Sequence, residues 1–374
     1  MKKVTSNLQE FFEKIYKETQ EFSDKKLNKS RRRFICQYCI GLIQSRSVHS
    51  SNIASYMATD AKIDSDIRKI ERFYADFKLD YEFISFVLVF CLPKGKVNIS
   101  MDRTDWKFGN KWRNILAVTV NSGKVGIPIW IEVLNKKRGT SNANERIDIM
   151  DKVLKVLGLE RIIALYADRE FIGQKWIDYL LEHGIHFFIR LRNNQQILYD
   201  GLTKSIEQLL GNKTNLLLDN VFIYNTWLSL AIKAVKNNKD KDIIAVLTNT
   251  RAKNAIKKYK KRWTIEVLFQ SLKKRGFDLE TTHLKKNDRV RKLFMLSSLA
   301  FALTYAVGSY VHYSSEKIPT KNHGYFSVSI FRKGLDTFRE HFKLNISMCK
   351  IFKVLFKLTK IRIKTFLAYS NFVG

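Results

Sequence analysis

The chain has 374 residues, 45% of them hydrophobic, with 67 Lys and Arg against 35 Asp and Glu and a net charge of +32. That apolar content excludes a disordered chain, and the length provides for two or three domains with cores of their own. An unrelieved cationic excess of this size repels itself, which excludes a basic partner and points to a polyanion, nucleic acid above all.

Residues 1–94 read as a helical region that binds DNA. Leu8, Phe11, Phe12 and Ile15 recur at helical spacing, and the stretch from Lys25 to Arg33 is rich in Lys and Arg. Glu10 and Glu13 interrupt the start and no apolar run follows, so no secretory leader is expected. Cys36 and Cys39 have the spacing of a zinc or redox pair. No second pair follows, and Phe34, Ile35, Ile40, Leu42 and Ile43 make their surroundings an apolar helix, so both are expected as buried thiols. With Cys91 and Cys349 they form no disulfide framework at this length, and a reducing cytoplasm is the expected location. Ser51 to Met57 and Asp64 to Tyr74 form two short amphipathic segments around a turn, in the manner of a helix-turn-helix with Asp64 as N-cap. Ile67, Ile70 and Tyr74 supply the apolar edge of the second segment. Arg68 and Arg72 on its outer face are candidate DNA contacts, although an ordinary helical pair with a wet basic face gives the same pattern.

From Val97 the period changes to two. Residues 95–190 read as the first part of a catalytic core, an α/β mixed sheet flanked by helices. Val97, Ile99 and Met101 alternate with polar residues. Ile115 to Val120 and Ile127 to Val133 follow as strands, punctuated by Gly109-Asn110 and by Asn121-Ser122-Gly123, which predicts an antiparallel meander. A helix (Glu145 to Val156), a strand (Arg161 to Tyr166), a second helix (Gly173 to His183) and a strand (His186 to Arg190) complete this part. Residues 191–242 read as a β-rich insertion. Residues 243–285 return to the core, and 286–374 read as a helical C-terminal region. Leu293 to Val311 carries no charge over nineteen residues. It stands alone and contains Ser297, Ser298, Thr304, Gly308 and Ser309, so it is expected as a buried core helix with no membrane partner.

Two aspartates close strands of this core: Asp102 after the first, and Asp168 just after the strand that ends at Tyr166. Rigid strand ends project carboxylates into a shared cleft, although strand-end Asp residues also cap turns, and Asp105 and Glu170 are neighbours able to stand in. A third acid lies on a predicted helix. Tyr259, Arg262, Glu266 and Lys273 stand at offsets 0, 3, 7 and 14, which at about 100° per residue gives roughly 0°, 300°, 340° and 320°. Ile265, Leu268, Phe269 and Leu272 fill the adjacent sector. One face packs, and the next presents a carboxylate between two cations and a phenol. A lone Glu paired with Arg at i,i+4 on a solvated helix would look the same; the order strand Asp, strand Asp, helix Glu adds weight. Three hard oxygen ligands suit Mg²⁺, and a pair of such ions can clamp both oxygens of an in-line displacement at phosphorus.

These residues carry a resemblance. Y-x2-R-x3-E-x6-K at Tyr259, Arg262, Glu266 and Lys273, D-R-T-D-W from Asp102 to Trp106, A-D-R-E-F-I-G from Ala167 to Gly173 and D-L-E-T-T-H-L from Asp278 to Leu284 together resemble bacterial insertion-sequence transposases of the DDE class. The similarity is to the subgroup marked by that Tyr-Arg-Glu-Lys signature, and it covers about residues 95 to 310. It implies a ribonuclease-H-like core and a cut-and-paste DNA transposase that works through strand cleavage, a hairpin intermediate and strand transfer. It implies that Asp102, Asp168 and Glu266 are catalytic and bind two Mg²⁺ ions, with Mn²⁺ able to substitute. It implies that Tyr259, Arg262 and Lys273 hold phosphates at the cleaved end. The partners implied are double-stranded DNA of the terminal inverted repeats and the target, with a dimer in the synaptic complex. The family places an aromatic in the insertion to stack a flipped base, and Trp227 is the candidate, a core Trp being the plain alternative. Trp263, at roughly 40° on the same wheel, is expected to pack beneath the acid. Arg103 and Arg169, directly after the two aspartates, are expected to balance the acids, phosphate contact being the alternative, and His283 is expected as a structural residue, reach into the cleft being the alternative. A non-specific metal-dependent nuclease on the same core and a catalytically silent DNA-binding regulator are the alternative readings.

Overall fold

The computed structural model describes residues 2–19, 27–90, 92, 95–108, 111–136, 139–236, 241–322 and 324–358. Helices α1 (Lys2–Thr19), α2 (Lys29–Ser45), α3 (Ser50–Ala54), α4 (Ile63–Asp76) and α5 (Tyr81–Phe90) precede the sheet. Leu8, Phe11 and Ile15 turn inward from α1, as their spacing predicts. Asn28 caps α2 by accepting the Arg31 N–H, and every residue from Ile35 to Ile43 is buried, which encloses Cys36 and Cys39. Burial pushes both thiols up, so they are packing groups and not nucleophiles. Lys25 and Lys26 of the basic stretch, and Cys91, lie outside the described residues.

The helix expected to begin at an Asp64 cap begins earlier. Lys62 holds the extended cap position without a side-chain bond, and Asp64 and Asp66 fall in the first turn. Asp66 is buried, where it accepts the Thr59 hydroxyl and pairs with Lys69 at 2.8 Å. That inward anchor starts the helix ahead of Asp64, and negative charge in a first turn suits the helix dipole.

Strands β1 (Val97–Phe108), β2 (Lys111–Ser122) and β3 (Val125–Leu134) form an antiparallel meander. The Gly109-Asn110 turn lies outside the described residues, and Gly123 turns the second connection at φ +59°. Helix α6 (Ala143–Leu157), begun by a capping box between Asn142 and Glu145, leads to β4 (Ile162–Ala167). Helix α7 (Gln174–Glu182) leads to β5 (Phe187–Arg190). β4 runs parallel to β1 and to β5.

The insertion does not stand apart as a separate sheet. β6 (Gln196–Tyr199), β7 (Leu202–Ser205), the short α8 (Ile206–Leu210), β8 (Asn215–Ile223), β9 (Thr226–Lys236) and β10 (Lys241–Thr248) extend the core. Antiparallel pairing of β10 with β5 and β9 joins them into one ten-stranded sheet, β3-β2-β1-β4-β5-β10-β9-β8-β6-β7.

The segment expected as one helix is a chain of four pieces: α9 (Ala255–Tyr259), a 3₁₀ turn (Lys260–Arg262), α10 (Trp263–Gln270) and a π turn (Ser271–Arg275). Helix α11 (Asn287–Ser314) is long and apolar enough to cross a membrane, yet 78% of its most apolar stretch is buried inside the protein. Helix α12 (Ile330–Lys343) crosses it closely at Gly308 and Gly334, where a Cβ would overlap the carbonyl oxygens of Ile330 and Thr304. Residues 349–358 are helical, and the last part of the C-terminal region, 359–374, lies outside the described residues.

Candidate active site

The parallel register of β1 and β4 pairs Met101 with Ala167. Asp168 therefore follows the end of β4 beside Asp102, and such strands lie about 4.8 Å apart. Asp102 does not close its strand as expected but sits midway along β1, paired with Ala117, because β1 runs on to Phe108 against β2. Two carboxylates so placed repel each other. Burial first, with Asp168 and Glu170 adding to it, pushes the Asp102 carboxyl up to about 7, against the pull of Arg262 and of the Arg103 backbone N–H. That N–H donates to Asp102 Oδ1 at 2.8 Å.

Arg262 Nη1 donates to Asp102 Oδ2 at 2.9 Å, and its Nη2 donates to Glu266 Oε1. Tyr259 Oη reaches Asp168 Oδ1 at 3.5 Å. Burial raises the Tyr259 hydroxyl well above its ordinary value, so it stays a neutral donor. Burial works against the Arg262 charge, but Tyr259, Asp102 and Glu266 outweigh it and hold the guanidinium protonated. The 3₁₀ turn adds rotation relative to a straight α-helix, and Tyr259 and Arg262 still reach Asp168 and Asp102.

Lys273 sits on the π turn. It pairs with Glu280 at 3.3 Å and lies 5.1 Å from the centre of the Trp106 ring. Trp106 is fully buried and donates to the Thr104 hydroxyl at 2.7 Å. It forms a floor under this corner of the site.

The other candidates divide. Arg103 bonds Asp105 at 2.6 Å and Glu170 at 3.0 Å. It thus occupies the two acids that might have replaced Asp102 and Asp168. Arg169 is exposed beside a cavity shared with Arg192, Asn193, Asn194 and Glu207, and not against an acid of the central set. Trp227 is 64% exposed on the β8–β9 hairpin and leans on Phe222, so the plain reading of a core Trp does not apply. Trp263 is 59% exposed and does not pack beneath the acid. The packing sector is already filled by Ile265, Leu268 and Phe269, and Trp263 follows the 3₁₀ turn on the outer side. Arg68 and Arg72 are exposed on α4. His283 faces His49 with ring centres 5.2 Å apart, in a cavity separate from the acids. The shared role of Arg262 between two acids was only half visible in sequence: its i,i+4 pairing with Glu266 was, its bond to Asp102 across 160 positions was not.

A divalent ion fits the chemistry of this donor set. The oxygens are hard, and burial disfavours the charge on the Asp102 carboxylate, which a nearby cation would offset. Arg262 already supplies one cation, bonded to both Asp102 and Glu266. Among the described residues no three His, Cys, Asp or Glu side chains are gathered closely enough to hold a metal.

Residues 93–303, more than half of the chain, match the family model described as "Transposase DDE domain". Among solved structures, the chain is similar to a piggyBac transposase in a synaptic complex with hairpin DNA. The identity is 11% and the TM-score 0.44, over 95% of this chain and 82% of that one. A search of curated protein sequences returns no match.

Proposed function

The chain belongs to the DDE transposase family, and from that premise we propose that it moves an insertion sequence by cutting and pasting double-stranded DNA. The observation that carries the reading is the single guanidinium of Arg262 bonded to both Asp102 and Glu266, with Asp168 beside Asp102 in register. It links two acids that lie 164 positions apart in the chain. The same reading makes the core ribonuclease-H-like, supported by the order β3-β2-β1-β4-β5 with an antiparallel meander followed by parallel strands. It also places the chain in the subgroup marked by Tyr259, Arg262, Glu266 and Lys273.

Asp102, Asp168 and Glu266 would hold two divalent ions, Mg²⁺ with Mn²⁺ as substitute. When bound, these supply Lewis acidity to the attacked phosphodiester and its leaving oxygen. The chain's own groups do the rest. Arg262 neutralises the acids in the absence of DNA and turns its planar fork to a phosphate when one arrives. Tyr259 donates its hydroxyl proton to a phosphate oxygen, and Lys273 adds a point charge at the π turn. Trp227 offers an exposed ring on which an extruded base stacks, as a hairpin intermediate requires. The helical region 1–94 holds the terminal repeats through α4. Two protomers bring two ends together in the cytoplasm of a bacterial cell.

The test is to mix the purified protein with Mn²⁺ and duplexes carrying the element's own ends. Hairpin and strand-transfer products are expected on those ends and not on random duplex. Intact end binding without any product would overturn the proposal, and equal cutting of random DNA would favour the plain nuclease.

A further inference from the structure

A cavity of about 480 Å³ lies between the N-terminal helices and the segment that follows the Glu266 helix. His49 and Ser50 line it from the start of α3, Arg72 from α4, and Thr282, His283 and Arg289 from the catalytic side. Arg103, Arg262 and Arg291 each pair with a carboxylate. Arg72, exposed on α4, and the half-buried Arg289 do not. Arg72 Nε donates only to the Arg68 carbonyl, at 3.3 Å, and among the described residues neither guanidinium has a carboxylate partner. Among the described lining residues Glu71 alone is acidic, and it is exposed. Two unpaired planar forks, two imidazoles and two hydroxyls around one opening make a donor-rich, acceptor-poor site.

The walls are held in place. Lys292 Nζ donates to the carbonyl of Tyr74 at 3.1 Å and pairs with Asp288 at 2.7 Å, which ties the end of α4 to the start of α11. Tyr81 Oη donates to Asp288 at 3.0 Å, and Arg113 donates to the Lys285 carbonyl. Donors fixed before a ligand arrives lose little freedom when it binds. The Thr282 hydroxyl accepts the Leu284 N–H at 3.4 Å and keeps its own proton to give.

We infer that this notch is a binding site for a backbone phosphodiester of duplex DNA, clasped by Arg72 and Arg289 with His49 and His283 beside them. The inference rests on the DNA-binding role proposed above and extends it. It gives the duplex a fixed point at the seam between the N-terminal helices and the catalytic segment, outside the acid site. Arg68 and Arg72, on the face of α4 already singled out from sequence, lead into the notch, so a duplex lying along α4 would meet it with its backbone and not with base edges.

The test is fluorescence anisotropy of the full-length protein on an end-bearing duplex without metal, across 50 to 200 mM salt. One lost phosphate contact lowers the log–log salt slope by about 0.9, so Arg289→Ala should lose about 3.5-fold less affinity than wild type over that range. Arg289→Lys keeps a charge and should keep the slope, and His49→Ala with His283→Ala should weaken binding at every salt concentration. A scan of single neutral methylphosphonates should find one position that weakens wild type and leaves Arg289→Ala unaffected. An unchanged slope in Arg289→Ala with no such position would overturn the inference while leaving the transposase reading standing. Wild type that binds no duplex at all would overturn both.

Discussion

Arg262 is the group on which the arrangement of the acids turns, and Arg262→Ala tests it. Its side chain is 12% exposed, against 15% for Asp102 and 27% for Glu266. Above about pH 7, where the Asp102 carboxyl is ionised, removing one partner of a buried ion pair leaves the other charge without compensation, at a cost of about 3 to 5 kcal/mol. Water reaching Glu266 places the expected loss near the lower figure, about 3 kcal/mol. For a chain of this size about 2 °C accompanies each kcal/mol, so the melting temperature of the metal-free variant should fall by about 6 °C. Two comparisons separate charge from simple loss of packing. Asp102→Asn in the Arg262→Ala background removes the stranded carboxylate and should restore most of the loss. Saturating Mg²⁺ should raise the melting temperature of Arg262→Ala more than that of wild type, because a bound cation replaces the missing one without displacing a guanidinium. Differential scanning calorimetry with and without Mg²⁺ reads all of this. An Arg262→Ala protein as stable as wild type without metal, or an equal Mg²⁺ shift in both, would refute the reasoning.

The remaining predictions concern single groups. Glu266→Ala should abolish cleavage in a gel assay while leaving anisotropy-measured end binding nearly whole, since removing an anion from a basic surface does not weaken DNA affinity. Trp227→Ala should leave the melting temperature within about 1 °C, because the ring is exposed, and should lower 2-aminopurine quenching at the hairpin position in line with about 1 to 3 kcal/mol of lost stacking. Asp102, raised from 3.8 to about 7, holds a proton in the folded protein that the unfolded chain has released over that window. Its contribution to metal-free stability is therefore complete below pH 3.8 and disappears as pH rises to about 7, so urea unfolding should show a downward slope that Asp102→Asn flattens. Lys273→Ala releases Glu280 and bares the Trp106 ring, and it should reduce the salt slope of end binding by about 1.

What the sequence revealed and what it hid follow from the range of the interactions. The meander of β1 to β3 was legible because period-two alternation and Gly-bearing turns are local signals. Asp168 was legible as a strand-end acid and Glu266 by its place between Tyr259, Arg262 and Lys273, whereas Asp102 was expected at a strand end and lies within β1, which pairing with β2 carries on to Phe108. The straight helix assumed for that signature was not what formed: the 3₁₀ step at Lys260–Arg262 and the π turn at Ser271–Arg275 depend on packing against the sheet, which no periodicity records. For the same reason Trp263 was assigned to the inside and lies outside. The insertion was recognised as β-rich, but its pairing to β5 through β10 is a contact between distant segments, and its single-sheet outcome could not be read from alternation alone. The bond from Arg103 to Glu170 and the meeting of His49 with His283 belong to the same class of long-range contact, for which one sequence carries no signal.

The claim that the rest depends on is that Asp102, Asp168 and Glu266 surround one catalytic metal centre. Diffraction at the manganese absorption edge, from crystals of the protein bound to an element end and soaked in Mn²⁺, tests it most directly. The account predicts anomalous peaks within coordination distance of all three carboxylates, with Arg262 turned away from Asp102 onto a phosphate. Peaks held by other residues, or none beside Asp102 in a crystal whose DNA has been cut, would contradict it.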